Sequence, residues 1–500
     1  MELYLSESLK SVKQKFLPLT LLLIAFLNLT AQNKQKDLDQ YFSALAENKQ
    51  FNGNVLIAEN GKVLYQKSFG YADFTTKRKN TSESSFPVAS ITKTFTSTAI
   101  LQLVEKGKLK LQDPAARYLP DFPFKEITIR QLLSHTAGLP IYDSLFFPIV
   151  AKHPDAVFNN KDLIPTMISQ RSPLIFKSGD DFSYNNVNYN ILALIIEKIS
   201  GLSYGAYLEK NIFIPAGMKD TSLSKFFDRV DKNLSRRYVF KYPYSDEMQR
   251  AETVEEFKMA EHFDFQGHGD LISTCEDLLK YDAALSNGKL LKASTLKQAY
   301  TPVLLSNGND NVQRYGLGWI TRKDTSLGEI VKHDGGLPGG RTMLMRNLTK
   351  HQTIILFDNT ADNVVPIADD ALIILNGGKV DKPKKSLAKV YGIALAEKGI
   401  EAGEKTLREI QKDSLNYYIS EGEINSLGYA LMFNNKESEA ENAFKQNTIL
   451  FPESWNTYDS YGEILLKHGK KQDAIKMYQR SIELNPANEN GKKVLKEING

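Results

Sequence analysis

Three short clusters carry the side chains best suited to chemistry. In Ser90-Ile91-Thr92-Lys93 a serine and a lysine lie three positions apart. On the first turn of a helix that spacing puts both on one face, where the cation can activate the hydroxyl or hold a nearby base deprotonated. A helix N-terminus adds partial positive charge and free N–H groups. The same spacing recurs at Ser222, Ser286, Ser294 and Ser386, so it decides nothing alone. Ser90 stands apart by context: it follows the loop Phe86–Ala89 and opens a strongly apolar helix predicted over Ser90–Lys106. The second cluster, Tyr184-Asn185-Asn186, follows the loop-like Ser178–Ser183 and precedes an apolar helix predicted over Val187–Ile199. A tyrosine becomes a base only where a cation such as Lys93 lowers its pKa, and Asn186 has the donors and acceptor to orient both that lysine and a substrate amide. The third, His333-Asp334-Gly335-Gly336, ends a predicted strand, and Leu337-Pro338-Gly339-Gly340 follows it. Glycines there let a substrate backbone lie close, and an edge N–H can serve as an oxyanion donor.

These clusters need a frame to bring them together. Asn54–Ala58 and Val63–Gln66 flank an Asn60-Gly61 turn and read as a hairpin. Glu329–His333, Arg341–Arg346 and Gln352–Asp358 read as three successive strands near the far end. A domain that opens and closes with β structure and holds helices between them is an α+β domain. Its single antiparallel sheet joins its first and last strands and is flanked by helices.

The order and contexts of the three clusters resemble the serine β-lactamases and penicillin-binding proteins, where a Ser-x-x-Lys motif is joined by two others. The likeness is greatest to class C β-lactamases, D-alanyl-D-alanine carboxypeptidases, D-aminopeptidases and related esterases, which use a Tyr-x-Asn second and a Lys-Thr-Gly or His-x-Gly third motif. The stretches Phe86–Lys93, Leu132–Pro140, Phe182–Gly201, Ser273–Leu278 and Tyr315–Gly340 extend it over residues 36–377. The resemblance implies a β-lactamase/transpeptidase-like fold and a serine hydrolase. Ser90 would be acylated, Tyr184 would be the general base kept ionised by Lys93, and Asn186 would orient Lys93 and the substrate. His333 would occupy the lysine or histidine position of the third motif, with Gly335 beside it. The N–H groups of Ser90 and Gly336 would form the oxyanion hole. His135 is read as structural and Cys275 as a buried small hydrophobe. Three departures stand out: Ser178 for the usual proline, Asn185 for serine, and Gly340 for an aromatic residue, the last widening the site. A neutral histidine at 333 argues against a dedicated β-lactamase. The expected substrate is a small peptide, ester or β-lactam.

The chain has 500 residues with 63 basic and 59 acidic side chains. So even a balance leaves no electrostatic footprint for nucleic acid. One cysteine excludes an internal disulfide, and seven scattered histidines offer no zinc-type spacing, so neither metal nor cofactor is expected. Lys10, Lys13 and Lys15 before an apolar run from Phe16 to Leu29 read as a cleaved signal peptide over residues 1–32. Export to the periplasm or beyond is the expectation, with an uncleaved membrane anchor as the alternative. The domain reading is a hydrolase domain over 33–380, a polar linker over 381–385 and a helical domain over 386–500. In that last part Gly428, Ala440, Phe444 and Pro452 recur 34 residues later as Gly462, Ala474, Tyr478 and Pro486. This is the tetratricopeptide period, and residues 420–486 are the expected contact for a protein or peptide partner. The contrasting functional reading is a catalytically idle receptor acting through these repeats.

Overall fold

The computed structural model describes residues 32–223, 232–360 and 363–499. The expected signal peptide lies outside the described residues except for Gln32. The chain forms two compact units. One holds the chain up to Tyr238 together with Arg250–Asp381; the other holds Val239–Gln249 together with Lys382–Gly500.

The first unit is built on a six-stranded sheet. Its strands are β1 (Gly53–Glu59), β2 (Lys62–Ser68), β3 (Ile320–Asp324), β4 (Gly328–Leu337), β5 (Gly340–Asn347) and β6 (Gln352–Asp358). Their order is β3-β4-β5-β6-β1-β2, every pair antiparallel. The first strand therefore pairs with the last, Gly53 opposite Asp358 and Glu59 opposite Gln352. The β1–β2 turn forms at Asn60 and Gly61, both at positive φ (53° and 73°), the geometry that matches the twist of a tight hairpin.

Alternate residues face opposite sides. Val55, Ile57, Met343, Met345, Ile354 and Leu356 pack with Leu38, Phe42 and Leu45 of α1 (32–47) and with Ala371, Leu372 and Leu375 of α5 (Val365–Leu375). Leu56, Val331, Leu344, Ile355 and Phe357 join the larger core on the other face. The helices of that core are α2 (Thr92–Glu105), α3 (Asn186–Ser200) and α4 (Cys275–Ser286). Burial on both faces explains the apolar runs Val55–Ala58, Met343–Met345 and Ile354–Phe357 in the central strands β1, β5 and β6.

Helix α2 is buried from Thr92 to Leu103. Its hydroxyls are satisfied by surrounding segments: Thr96 Oγ1 donates to Gly267 O and Ser97 Oγ to Leu317 O, each at 2.6 Å, while Thr98 Oγ1 meets Tyr281 Oη at 2.8 Å. Helix α3 is opened by Asn185, whose side chain accepts the Val187 N–H, and is closed by Gly201 at φ 71°. Thr274 caps α4 in the same way, and Cys275 beside it is 1% exposed.

In the second unit α6 (Leu387–Lys398) and α7 (Ile400–Ile410) precede two helix pairs, α8 (Glu421–Phe433) with α9 (Glu437–Leu450) and α10 (Trp455–Lys467) with α11 (Lys471–Leu484), then α12 (Glu489–Asn499). The two pairs share one construction. A Cβ on Gly428 would meet the Phe444 ring at 2.6 Å, and one on Gly462 the Tyr478 ring at 3.0 Å. Ala440 and Ala474 are both fully buried. The segment Val239–Gln249 is part of this unit. Tyr244, 4% exposed, lies in one core with Leu387, Tyr391, Leu395 and Leu427, and Lys389 Nζ sits 3.4 Å from the centre of the Phe240 ring.

Candidate active site

The site forms where β4 outruns its neighbour. Strand β3 covers β4 only as far as Lys332, leaving His333–Leu337 as an open edge. The third motif lies within this strand rather than after it, and the chain turns only at Pro338-Gly339. Against the edge sits a 3₁₀ turn, Ala89–Ile91, which carries Ser90 into α2. A 3₁₀ turn has three residues per turn, so Ser90 and Lys93 lie one above the other. The turn starts from Ala89 at φ 48°, a strained conformation for alanine. It is held by Val88, whose N–H donates to Leu271 O at 2.9 Å and whose carbonyl accepts the Thr342 hydroxyl at 2.9 Å. Gly335 makes this approach possible: a Cβ there would collide with Val88 O and Thr342 Oγ1 and stand 3.0 Å from Ala89 Cβ. At Gly336 a Cβ would meet only the flexible end of Arg341.

Lys93 is fully buried, with Nζ 3.0 Å from Ser90 Oγ and 2.9 Å from His268 O. Nζ also lies 4.7 Å from the centre of the Tyr184 ring and 5.7 Å from that of Tyr189. Burial pulls the lysine well below its ordinary pKa, against the opposing charges of Asp270 and Asp334. Tyr184 hydrogen-bonds Ser90, and the residue as a whole is 37% exposed. Desolvation of its phenol raises the pKa; the bond to Ser90 opposes this and the charge of Asp334 adds to it. Burial therefore works against charge on both groups, where the resemblance implies a phenolate and an ammonium.

Asn186 is the first residue of α3, and its Oδ1 is buried without a protein partner. Asn185, in the serine position, donates to Leu139 O at 2.7 Å and to Pro140 O at 3.2 Å. His135 accepts the Asn185 N–H on Nδ1 at 3.1 Å and is fully buried at φ 59°. It thereby fixes the backbone that presents Tyr184. Ser178 donates to Ala137 O at 2.7 Å, tying its loop to the same turn.

His333 is 2% exposed and does not reach the nucleophile. Its Nδ1 lies 2.7 Å from Asp334 O, so that nitrogen carries the proton, and Nε2 accepts the Tyr315 hydroxyl at 2.9 Å. Burial brings its pKa down to about 4, with Asp334 opposing and Lys93 reinforcing the shift. The widening expected at Gly340 is absent: a Cβ there would stand 3.3 Å from Arg237 Cδ, and Arg237 itself donates to Pro338 O at 2.8 Å.

Sequence reading missed three contributors. Tyr315 holds His333, the His268 carbonyl holds Lys93, and Asp270 faces the same lysine electrostatically. Tyr315 lies in a matched stretch, but the role of Gly267-His268-Gly269-Asp270 has no signal in residue type alone. Among the described residues no group of three or more His, Cys, Asp or Glu side chains is placed to hold a metal ion.

The family described as Beta-lactamase matches residues 38–378. The chain belongs to this family. Penicillin-binding protein 4* of Bacillus subtilis (strain 168) is 37% identical over 361 residues, which cover 71% of this chain and 79% of the relative. Putative penicillin-binding protein PbpX of the same organism is 31% identical over 66% of this chain and 76% of its own length. Among solved structures, the penicillin binding protein from Bacillus halodurans superposes with a TM-score of 0.56 at 25% identity, covering 66% of this chain and 99% of that one. The D-amino acid amidase from Ochrobactrum anthropi SV3 shares the fold at a TM-score of 0.55 and 23% identity, over 69% and 98% of the two chains. The matched family is one of serine hydrolases. Its match ends at residue 378, before the Lys382–Gly500 part of the second unit.

Proposed function

We propose that this protein is an acyl-transferring serine hydrolase of small amides and esters, with Ser90 as its nucleophile. The observation that carries the reading is the contact between the buried Lys93 amine and Ser90 Oγ, 3.0 Å apart, on a turn pressed against an open strand edge. Ser90 adds to the substrate carbonyl as its proton passes to the neutral Lys93 amine. The carbonyl oxygen, now negative, is held by the N–H groups of Ser90 and Gly336. The carbon–leaving-group bond breaks as the Tyr184 hydroxyl protonates the departing nitrogen or oxygen. Lys93 returns its proton to Tyr184, and water then releases the acid by the same path in reverse. Asn186, with its unpartnered Oδ1, orients the substrate amide.

The D-amino acid amidase that shares the fold supports an amino-acid amide or peptide as the substrate class. Neutral His333 supplies no fixed cation for a β-lactam carboxylate, so β-lactams are read as acylating agents or poor substrates. We further propose that the protein is exported through its leader. The two helix pairs of the second unit are read as tetratricopeptide-type repeats that bind a protein or peptide segment.

The test is labelling and turnover of residues 33–500. A fluorophosphonate or fluorescent penicillin should label the protein at Ser90. A panel of D-alanyl dipeptides, D-amino-acid amides, p-nitrophenyl esters and nitrocefin should show hydrolysis strongest among the amides and esters. Absence of label and of all turnover would favour the idle-receptor reading.

A further inference from the structure

Asp270 is a buried carboxylate that the reaction above does not use. It is 4% exposed. Its Oδ1 accepts the N–H of Gly267 at 2.8 Å and of Gly269 at 3.4 Å; its Oδ2 is buried with no hydrogen-bond partner. An isolated ionised carboxylate in such a place is costly unless another charge answers it.

The loop that Asp270 organises is the one that grips Lys93. Between the two N–H groups it binds lies His268, whose carbonyl accepts from Lys93 Nζ at 2.9 Å. The loop is pinned to α2 at both ends. Thr96 donates to Gly267 O at 2.6 Å, and the Leu271 N–H donates to Thr92 Oγ1 at 3.2 Å. Gly267, at φ 103°, lets it lie against α3, where a Cβ would stand 2.6 Å from Tyr189 O. His268 is held in turn through Nδ1, 3.0 Å from Asn190 Nδ2. The carbonyl has little freedom to move, and neither has Lys93.

We propose that Asp270 is a positioning residue for Lys93: one carboxylate oxygen shapes the loop that offers the His268 carbonyl, and the other supplies the counter-charge that sets how readily Lys93 takes the Ser90 proton. This rests on the hydrolase reading above. The groups facing Lys93 from every side are Ser90 on its own turn, His268 and Asp270 on the loop, Tyr184 just before α3 and Tyr189 within it, His333 and Asp334 on β4, and His135. Asp270 and Asp334 are the two negative charges that raise the lysine's proton affinity. Burial lifts the Asp270 carboxyl to about 6, with its backbone hydrogen bonds and then Lys93 opposing. The charge of each group therefore opposes the effect of burial on the other.

The test is the pH dependence of acylation. Asp270→Asn keeps an oxygen for the Gly267 and Gly269 N–H groups and removes the charge. Lys93 should then lose its proton more readily, and the acid limb of kcat/KM for a p-nitrophenyl ester should move to lower pH by about half a unit or more. Asp270→Ala should show the same displacement with a lower plateau, because the loop is also released. A folded Asp270→Asn enzyme whose acid limb stays in place overturns the proposal, since a purely structural aspartate lowers the rate without moving the limb. A second measurement needs neither turnover nor an Asp270 variant. With ¹³C-labelled aspartate, one carboxyl carbon should titrate near pH 6 in the native chain and at higher pH in Lys93→Met. If no aspartate responds to the loss of Lys93, the pairing is wrong. A response without hydrolysis of any substrate would leave the pairing standing and overturn the hydrolase reading instead.

Discussion

Lys93 Nζ lies between Ser90 Oγ at 3.0 Å and the carbonyl of His268 at 2.9 Å, fully buried. The first contact places the amine where it can take the serine proton. The second fixes the amine's direction without satisfying a charge, since a carbonyl is a weaker partner for a cation than a carboxylate. An amine so held gains from being neutral. The arrangement thus lowers the amine's hold on its proton by burial rather than by a change of residue type, which is what the proposed base role needs.

Ser90→Ala should lower turnover by roughly a thousandfold or more while labelling by fluorophosphonate disappears. Lys93→Arg should be nearly as damaging, because arginine stays charged and cannot accept the proton. Ser222→Ala and Ser294→Ala, which share only the bare spacing, should retain normal rates. The check is steady-state kinetics beside mass-spectrometric mapping of the label. A label that persists in Ser90→Ala would move the nucleophile elsewhere.

Tyr184→Phe removes one hydroxyl and keeps the ring that covers Lys93. Its loss should slow acylation about 100-fold or more, the scale of a positioned proton donor, with little change in Tm. Substrates with good leaving groups, such as p-nitrophenyl esters, should suffer less than amides, because they need less protonation on departure. Equal losses on both would place Tyr184 at the serine proton instead.

The candidate site residues could be picked out because each is a local pattern in a recognisable context. Ser90 opens an apolar helix, Tyr184 and Asn186 open another, and the Gly335-Gly336 pair stands in a strand. The β1 and β6 pairing followed from strands at both ends of one domain. The charge states were not legible: they depend on burial and on Asp270 and Asp334, which no spacing brings to Lys93. Nor was Arg237, over a hundred residues from Gly340, visible as the side chain that occupies its open space. The place of Val239–Gln249 was hidden for the same reason, since its contacts with Leu387, Tyr391 and Leu427 span well over a hundred residues of sequence.

Acid should unfold the first unit earlier than carboxylate protonation alone would. His333 is depressed from 6.5 to about 4, His268 to about 3, and His135 well below its ordinary value, in each case chiefly by burial. A group whose folded pKa is depressed contributes full stability above its unfolded pKa and loses it as pH falls toward the folded one. The histidine contribution to stability in urea should therefore be level above about pH 7 and decline from about 6.5 downward, beside the decline that buried Lys93 adds from its own unfolded pKa and against the opposite slope of Asp270. His333→Gln, which cannot titrate, should flatten part of that decline. An unchanged slope in the variant would show that His333 is protonated in the folded protein.

Gly335→Ala should be severe. Its Cβ would press on Val88 O, Thr342 Oγ1 and Ala89 Cβ at once, and two of those three atoms belong to the turn that carries Ser90 or to the residue that precedes it. Overpacking of this kind costs about 1–3 kcal/mol. The larger effect should be on acylation, because relief requires moving the Ser90 turn away from the strand edge. Gly336→Ala, which meets only the end of Arg341, should be far milder. Thermal melts and ester hydrolysis on the two variants separate the effects, and equal activity in both would show that the strand does not set the position of the nucleophile.

Removing everything after Asp381 should do more than delete an accessory. The second unit includes Val239–Gln249, and Tyr244 in that segment is packed with Leu387, Tyr391, Leu395 and Leu427. A Cβ on Gly392 would stand 2.9 Å from Tyr244 Cβ, so the segment and α6 are in close contact. Lys389 pairs with Asp246 at 3.5 Å and covers the Phe240 ring. Truncation strips these apolar side chains of their cover and leaves an exposed patch in the middle of the remaining chain, the kind that drives association. The truncated protein should aggregate or express poorly, while one that also replaces Val239–Gln249 by a short Gly-Ser turn should be soluble and still hydrolyse p-nitrophenyl esters. Size-exclusion chromatography and ester kinetics on the two truncated proteins test this. If simple truncation gives a monomer as soluble and stable as the full chain, Tyr244 and its neighbours are not held by the second unit.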